Sequence, residues 1–438
     1  MAFSFQYEPL VQNQIRLLQL TSCSPEIRGV LTPITMSSNP SYTALSYTWG
    51  SEQHLQHLFV GDSILLITEN LATALRHLSD HVGKYLWIDA VCINQKDDAE
   101  KTEQLRKMAE IYERANMVLS WLGEESEGSN RAMEGIERYG GAAFEAGILS
   151  LPVEVRKKRP DVGENSGFQH VKRRIFELFT AAADADNNDS PDAFPRSEFS
   201  ELSRRSYFDR LWIKQEVALG KQVRMACGEK VTSFEHLASA YMFFATFTVW
   251  EITERLHGRL TGFPKHFAPV LGDSGIESRN LPMPSVAIGS LLSIRRKIHQ
   301  EKKRPELFWL LKRLHVGDQG QRNNCKDPRD KIYGLLGMVE GNGSHVETLI
   351  HHRQPVELLY ERVARILIQQ GIIDTLLFCR PRSSLELPSW VPHWNTPVPH
   401  PWSSDGIYQA SGRKKQTLDR NPGVMQTGII ALEGTLVG

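Results

Sequence analysis

The 438-residue sequence lacks several patterns that identify common protein classes. Its 51 basic and 51 acidic side chains leave no net charge, so no overall field steers it to nucleic acid or anionic lipid. No run approaches the ~18 apolar residues of a membrane span, and the N-terminus has no apolar leader segment. The five cysteines are scattered without a CxxC pair, which disfavours a zinc or redox centre. We therefore expect a cytoplasmic protein with reduced thiols, no membrane contact and no bound metal.

Phosphate-binding motifs are missing as well. Neither GxxxxGK[ST] nor GxGxxG occurs, which argues against P-loop and dinucleotide-binding Rossmann mechanisms. The basic stretch at residues 295–304 has no interleaved stacking aromatics, so it predicts a solvated helix face and leaves nucleic-acid binding as the weakest alternative. Cys92 lies in an apolar run without an evident base partner and is interpreted as a structural cysteine.

What the chain does have is a hydrophobic content of 41%, enough for cores in two or three domains. Strand and helix patterns alternate from residue 40 onward. The predicted strands are 42–48, 87–93 and 117–122, and the predicted helices are 70–78, with Asn70 as its N-cap, and 97–115. This alternation is typical of a parallel α/β sheet flanked by helices.

The flanking regions differ from this core. Residues 1–39 predict short strands that pack on the main domain, which we place at residues 40–230. Inside that domain the acidic segment 182–200 predicts a mobile loop insertion. Residues 231–438 predict a mainly helical region. The apparent strand at 431–438 has nothing after it, so we expect the polypeptide to stop short of a further β-rich region.

Two groups of polar and aromatic residues follow predicted strands, where ligands gather in open parallel sheets. After the first strand, Ser46, Tyr47, Trp49 and Gly50 would suit the ribose and base of a nucleotide, with Gly50 permitting close backbone approach. The alternative is that the two aromatic side chains belong to the core or to an interface. For Trp49 we favour that alternative.

The second group belongs to the stretch from residue 87 to residue 95. Asp89 lies within the predicted apolar strand, where a lone buried acid is costly unless it is hydrogen-bonded. It either anchors the following loop, the interpretation we favour, or faces a pocket. Asn94 and Gln95 follow it and would either contact a ligand or cap the next helix.

Four of these blocks resemble, in order, the signature blocks of the fungal heterokaryon incompatibility (HET) domain family. They are Ala44–Gly50, Leu86–Gln95, Met108–Tyr112 and Val118–Gly123. Segments around Asp327–Asp330 and Leu387–Trp390 resemble those that commonly follow the domain. The resemblance implies a distant relation to the Toll/interleukin receptor (TIR) fold. It also implies a cytoplasmic role in non-self recognition, innate immunity and programmed cell death.

Some TIR domains cleave NAD with a glutamate one helical turn after an aromatic residue, and Trp212 and Glu216 resemble that element. Four residues apart, they share one face of a helix. A desolvated carboxylate at Glu216 would stabilise the positive charge that builds on the ribose. The alternative is a structural ion pair with Arg210, Lys214 or a nearby arginine.

Three hypotheses follow. The first is a signalling effector of fungal self/non-self recognition with a latent NAD glycohydrolase activity, for which NAD is a substrate and no cofactor is needed. The second is a non-catalytic interaction module that docks onto another HET or sensor protein or onto itself. The third is a nucleic-acid-binding regulator that uses residues 295–304.

Overall fold

A computed structural model describes most of the chain. The described residues are 3–152, 167–188, 190–257, 259, 271–272, 275–276, 284–316, 323, 325–340, 349–351, 354–379 and 385–396. The strand predicted at residues 431–438 lies outside them.

Ten strands form one mixed sheet. They are β1 (Phe3–Ser4), β2 (Gln14–Ser22), β3 (Ile27–Thr35), β4 (Thr43–Ser46), β5 (Leu55–Val60), β6 (Ser63–Thr68), β7 (Tyr85–Trp87), β8 (Met117–Trp121), β9 (Val223–Cys227) and β10 (Lys230–Ser233). Their order across the sheet is β1-β6-β5-β3-β2-β7-β4-β8-β9-β10. A separate two-stranded ribbon pairs β11 (Leu271–Gly272) with β12 (Gly275–Ile276).

The centre of the sheet is a parallel quartet, β7-β4-β8-β9, which confirms the predicted α/β class. Parallel strands need long connections, and the helices supply them. Strands β2 and β3 pair along their length as an antiparallel hairpin, so the N-terminal strands are long members of the same sheet. The pair β5-β6 turns at Gly61, whose positive φ of 59° favours glycine.

The described helices are as follows. They are α1 (Glu69–Arg76), α2 (Asp89–Cys92), α3 (Asp98–Arg114), α4 (Ser129–Gly135), α5 (Gly141–Ala146), α6 (Gln169–Asn187), α7 (Arg196–Ser203), α8 (Ile213–Leu219), α9 (Phe234–Leu256), α10 (Val286–His299), α11 (Leu307–His315), α12 (Asp330–Leu336) and α13 (Val356–Gln369). Short 3-10 helices lie at Met36–Ser38, Ser79–His81, Ile148–Ser150, Ser206–Asp209 and Ile373–Phe378, and a π-helical turn at Ile136–Gly140.

The two faces of the parallel quartet are buried by different helices, because successive side chains of a strand point to opposite faces. On one face Leu45 and its strand neighbour Leu119 belong to an apolar cluster that includes Leu71 and Leu75 of α1. On the other face the ring of Trp87 lies 5.4 Å from that of Tyr112, near the C-terminal end of α3. The predicted flanking of a sheet by helices is therefore confirmed.

Three local predictions are wrong. Asp89 does not lie inside a strand: β7 ends at Trp87, and Asp89 begins the short helix α2. The predicted loop at 182–200 is largely helical, because α6 continues through the buried residues Ala182 and Ala183, and α7 begins at Arg196. Helix α1 is capped by the hydroxyl of Thr68 rather than by Asn70.

The chain divides into two compact units that do not follow chain order. The first unit contains the sheet and consists of residues up to Gln95 with Ile111–Phe208 and Gly220–Ser293. The second consists of Lys96–Glu110, Asp209–Leu219 and the described residues from Ile294 onward. The domain boundaries predicted at residues 40 and 230 divide the chain into consecutive segments, whereas the two units each combine separate segments. The predicted boundaries stay a prediction.

Candidate functional site

In the first unit, several of the predicted ligand-binding residues meet where β4 and β7 end. The indole nitrogen of Trp49 donates to Oδ2 of Asp89 at 2.9 Å, and Gln95 Nε2 donates to the backbone oxygen of Asp89, also at 2.9 Å. We call Trp49, Asp89 and Gln95 the strand-end network. All three are partly exposed. The network fixes the loop after β4 against the start of α2, which is the anchoring role favoured for Asp89.

The position of Asp89 suits its chemistry. Its Oδ1 accepts from the amide of Ala90 at 2.7 Å, at the N-terminal end of α2, where helix amides are free to bind anions. Tyr7 Oη donates to the carbonyl of Val91 at 2.9 Å and ties the same turn to the N-terminal segment. Asp89 is thus a hydrogen-bonded carboxylate, as a half-buried acid must be.

The other residues predicted after β4 are placed differently. Ser46 is fully buried and its hydroxyl lies 2.8 Å from that of Tyr207. Tyr47 is buried in the apolar cluster under α1. Gly50 is exposed with a φ of 76°, and an added Cβ would lie 3.3 Å from Cβ of Asn70, whose amide donates to the carbonyl of Thr48. Glycine is therefore needed for this turn.

Asn94 is partly buried, close to the strand-end network. Neither it nor Gln95 caps the following helix, because Oδ1 of Asp97 accepts from the amides of Ala99 and Glu100 at 2.9 and 3.1 Å. The interpretation of Asn94 and Gln95 as caps of α3 is wrong, since an acid two residues later has that role.

Trp212 and Glu216 belong to the second unit. The amide of Glu216 donates to the carbonyl of Trp212 at 3.2 Å, so the two residues lie one helical turn apart, as predicted. Trp212 is partly exposed, whereas Glu216 is only 2% exposed. We call residues 212–216 the Trp212–Glu216 segment. A buried carboxylate follows an aromatic side chain at the spacing that the TIR resemblance implies.

The side chains next to Glu216 are also polar and buried. Lys214 is fully buried and Gln215 is 2% exposed. Burial lowers the pKa of Lys214 to about 7, although the nearby Asp209 carboxylate acts in the opposite direction. At the other end of α8, Arg295 Nη1 donates to the carbonyl of Val217 at 3.0 Å, which satisfies one of the helix's terminal carbonyls.

Sequence reasoning missed Asp330 as a member of this group and named Lys214 only as a possible ion-pair partner of Glu216. The Trp212 side chain is hydrogen-bonded to the carboxyl of Asp330, whose pKa burial raises to about 6. The sequence did identify a capped turn at Asp327–Asp330, and Asp327 Oδ1 accepts from the amide of Arg329 at 2.9 Å. What it could not show is which part of the chain this turn contacts.

Metal and membrane binding receive no support from the described residues. Within those ranges no three His, Cys, Asp or Glu side chains are placed to share a metal ion. Of the helices in the same ranges, none has the length and apolar character needed to cross a bilayer.

Comparison with known proteins agrees with the sequence blocks. Residues 42–216 match the family model described as Heterokaryon incompatibility protein (HET). The chain is also 28% identical over 477 aligned positions to "Heterokaryon incompatibility protein 6, OR allele" of Neurospora crassa, covering 97% of this chain and 64% of that protein. It thus spans less than two thirds of the length of this relative. No solved structure matches. The chain carries a HET domain, while the likeness to TIR folds stays a prediction.

Proposed function

We propose that this HET-domain protein is a signalling effector of fungal self/non-self recognition that triggers programmed cell death by cleaving NAD once it is activated. The family match over residues 42–216 supports the first part, as does the similarity to a protein named for heterokaryon incompatibility. The second part depends on the Trp212–Glu216 segment.

The observation that carries the catalytic proposal is the burial of Glu216 one turn after Trp212. In the reaction the bond between ribose C1′ and the nicotinamide nitrogen breaks, and the electron pair leaves with nicotinamide. Water adds to C1′ and releases a proton, which gives ADP-ribose. A carboxylate in a low-dielectric environment stabilises the positively charged ribose in the transition state.

The strand-end network belongs to the first unit and is proposed by itself as a ligand-contact surface, whereas the cleavage proposal rests on the Trp212–Glu216 segment. Trp49, Asp89 and Gln95 are partly exposed, and Asn94 lies beside them, so their side chains can reach a ligand. Ser46 and Tyr47 are buried, and we assign them to the support of β4.

The test is an NAD assay on purified protein that is clustered through a fused inducible oligomerisation tag. We expect clustered wild-type protein to release nicotinamide and Glu216→Gln to lower kcat by about 100-fold or more, the scale of losing a transition-state electrostatic contact. The matched control is Glu201→Gln, an exposed glutamate on α7, which should retain full activity. Absence of NAD loss in the clustered wild type, or equal rates in wild type and Glu216→Gln, would overturn the catalytic proposal.

The alternative is a non-catalytic interaction module that docks onto another HET or sensor protein. One observation favours it: β10 ends the strand order, and its Val231 is 51% exposed. Edge strands with exposed apolar side chains can pair with a strand of another chain. In this case Val231→Lys abolishes the cell-death phenotype in fungal cells, whereas Glu216→Gln leaves it intact. The catalytic proposal predicts the loss with Glu216→Gln.

A further inference from the structure

Helix α12 packs closely on the Trp212–Glu216 segment through two glycines. A Cβ added at Gly334 would lie 3.3 Å from Cγ of Leu211 and 3.7 Å from Cδ2 of Trp212. A Cβ added at Gly337, one turn later, would lie 2.7 Å from Oε1 of Gln215. The Gln215 amide ends a flexible side chain and could move aside, but the added Cβ would also lie 2.7 Å from Cβ of Ala109, which cannot rotate away, so glycine suits this close packing.

The turn before α12 places Asp330 against Trp212. The Asp330 carboxyl accepts a hydrogen bond from the Trp212 side chain, whose only donor is the indole N–H. Asp330 therefore fixes the orientation of the ring at the residue where the first turn of α8 begins.

The turn itself is held by its neighbours. The Arg329 guanidinium lies 2.9 Å (Nε) from Oδ1 of Asp327, and its Nη1 donates to the carbonyl of Gln354 at 3.3 Å. Tyr360 Oη donates to the carbonyl of Pro328 at 2.8 Å. Because these bonds connect the turn to α13 and to the segment before it, the Asp330 carboxyl is presented from a rigid support.

From this geometry we infer that Asp330 is a positioning residue for the Trp212–Glu216 segment. By holding the Trp212 indole, it fixes the residue whose carbonyl accepts the amide of Glu216, and so sets the direction of the Glu216 carboxylate. Its effect on NAD cleavage rests on the proposed function. Its effect on Trp212 does not.

The ionisation of Asp330 separates positioning of Trp212 from ordinary packing. A purely structural contact would not make the surroundings of the Trp212 indole depend on pH. Burial raises its pKa to about 6, opposed by the Trp212 hydrogen bond, and Asp327 raises it further, while Lys101 and Arg329 lower it. Cys325 and Tyr360 also interact with this carboxyl. The hydrogen bond from Trp212 therefore passes from a neutral to a charged acceptor near pH 6.

The experiment follows the indole N–H resonance of Trp212 by NMR, assigned through Trp212→Phe. In the full chain we expect this resonance to titrate with a midpoint near pH 6, and the titration to vanish in Asp330→Asn, which keeps an acceptor at the same position. Asp330→Leu should displace the resonance at every pH. Asp374→Leu, at an exposed aspartate of the second unit, is the control and should change nothing.

Activity gives the second arm. In clustered protein, Asp330→Leu should lower kcat for NAD by about tenfold with little change in KM, and Asp330→Asn should restore most of the rate. If the wild type shows no NAD cleavage but the Trp212 resonance follows Asp330, the proposed function fails and the positioning of Trp212 stands. An unchanged Trp212 resonance in Asp330→Leu would overturn the inference whatever the activity.

Discussion

Buried charges are arranged differently in the two units. In the first unit a group of them forms direct ion pairs between α6, α7 and α9. Arg196 Nη2 lies 2.6 Å from Oδ2 of Asp186 and 2.8 Å from Oε2 of Glu251, and Arg255 lies 2.6 Å from Oε1 of Glu251. The rings of Phe244 and Phe247 lie around the Arg196 guanidinium. Opposite charges with good geometry offset the cost of leaving water.

For two buried groups of the second unit, burial instead shifts the pKa toward neutral pH. The pKa of Lys214 is lowered to about 7 and that of Asp330 is raised to about 6, in both cases chiefly by burial. Such shifts are concentrated at functional sites, because catalysis uses groups that change charge near neutral pH. The difference indicates that the first unit uses this group of buried charges for cohesion, whereas the second holds Lys214 and Asp330 with pKa values near neutral.

The largest expected effect comes from breaking the paired charges of the first unit. Arg196→Met leaves the buried carboxylates of Asp186 and Glu251 without this partner, so we expect a loss of about 3–5 kcal/mol in the free energy of unfolding, measured with urea. Arg131→Met removes an ion pair with Glu198 in which the arginine side chain is 52% exposed, and it should cost less than about 1 kcal/mol. Equal losses in the two variants would show that the buried ion pairs of the first unit stabilise it no more than an exposed pair does.

A smaller effect, with a pH signature, is expected at Lys214. Between pH 7 and pH 10 the unfolded chain keeps this lysine mostly protonated, whereas the folded chain loses its proton as the pH rises above about 7. Stability therefore rises with pH in this window, at about 1.4 kcal/mol per pH unit. Lys214→Met removes that slope, so its stability relative to wild type should fall by about 2 kcal/mol from pH 7 to pH 9, since the slope reaches its full value only above pH 7.

Lys303→Met is the control for this titration, because the Lys303 side chain is 54% exposed. Its stability should run parallel to that of the wild type across the same pH range. If the stability of Lys214→Met also ran parallel to that of the wild type, the idea that burial lowers the pKa of Lys214 to near neutral would be contradicted.

The smallest effect is expected at the strand-end network, which holds a partly exposed carboxylate in the first unit. Trp49→Phe removes the indole donor to Asp89 and should cost about 1 kcal/mol. A double-mutant cycle with Asp89→Ala, which removes the acceptor, should give a coupling energy of about 0.5–1.5 kcal/mol. Strictly additive effects would show that the two side chains do not stabilise each other.

The sequence predicted best where periodicity and burial agree. The strand at residues 117–122 and the helix at 97–115 were placed within a residue or so of Met117–Trp121 and Asp98–Arg114, because each has one clear hydrophobic repeat. The run from Trp87 to Ile93 was wrongly predicted to be one strand, although it contains the helical turn α2. A single helical turn inside an apolar run has the same composition as a buried strand.

Long-range pairing explains the other failures. The segment from Ala182 to Ser200 is acidic, which favours a loop, but Asp186 pairs with Arg196 and becomes part of a packed pair of helices. Asp330 gave no local sign of a link to Trp212, because that hydrogen bond depends on how two distant segments pack. Local composition predicts neither the ion-pair partner of Asp186 nor the hydrogen-bond partner of Asp330.

The second unit is completed by parts of the chain that are synthesised far apart in time. The segment with Glu216 leaves the ribosome well before α12 and its Asp330, and domains generally fold as their residues emerge. The nascent chain therefore holds Glu216 without the helix that packs against it. The surroundings of this carboxylate form only late in translation, so a prematurely terminated polypeptide that ends before Asp330 carries the HET signature without the support of its proposed catalytic residue.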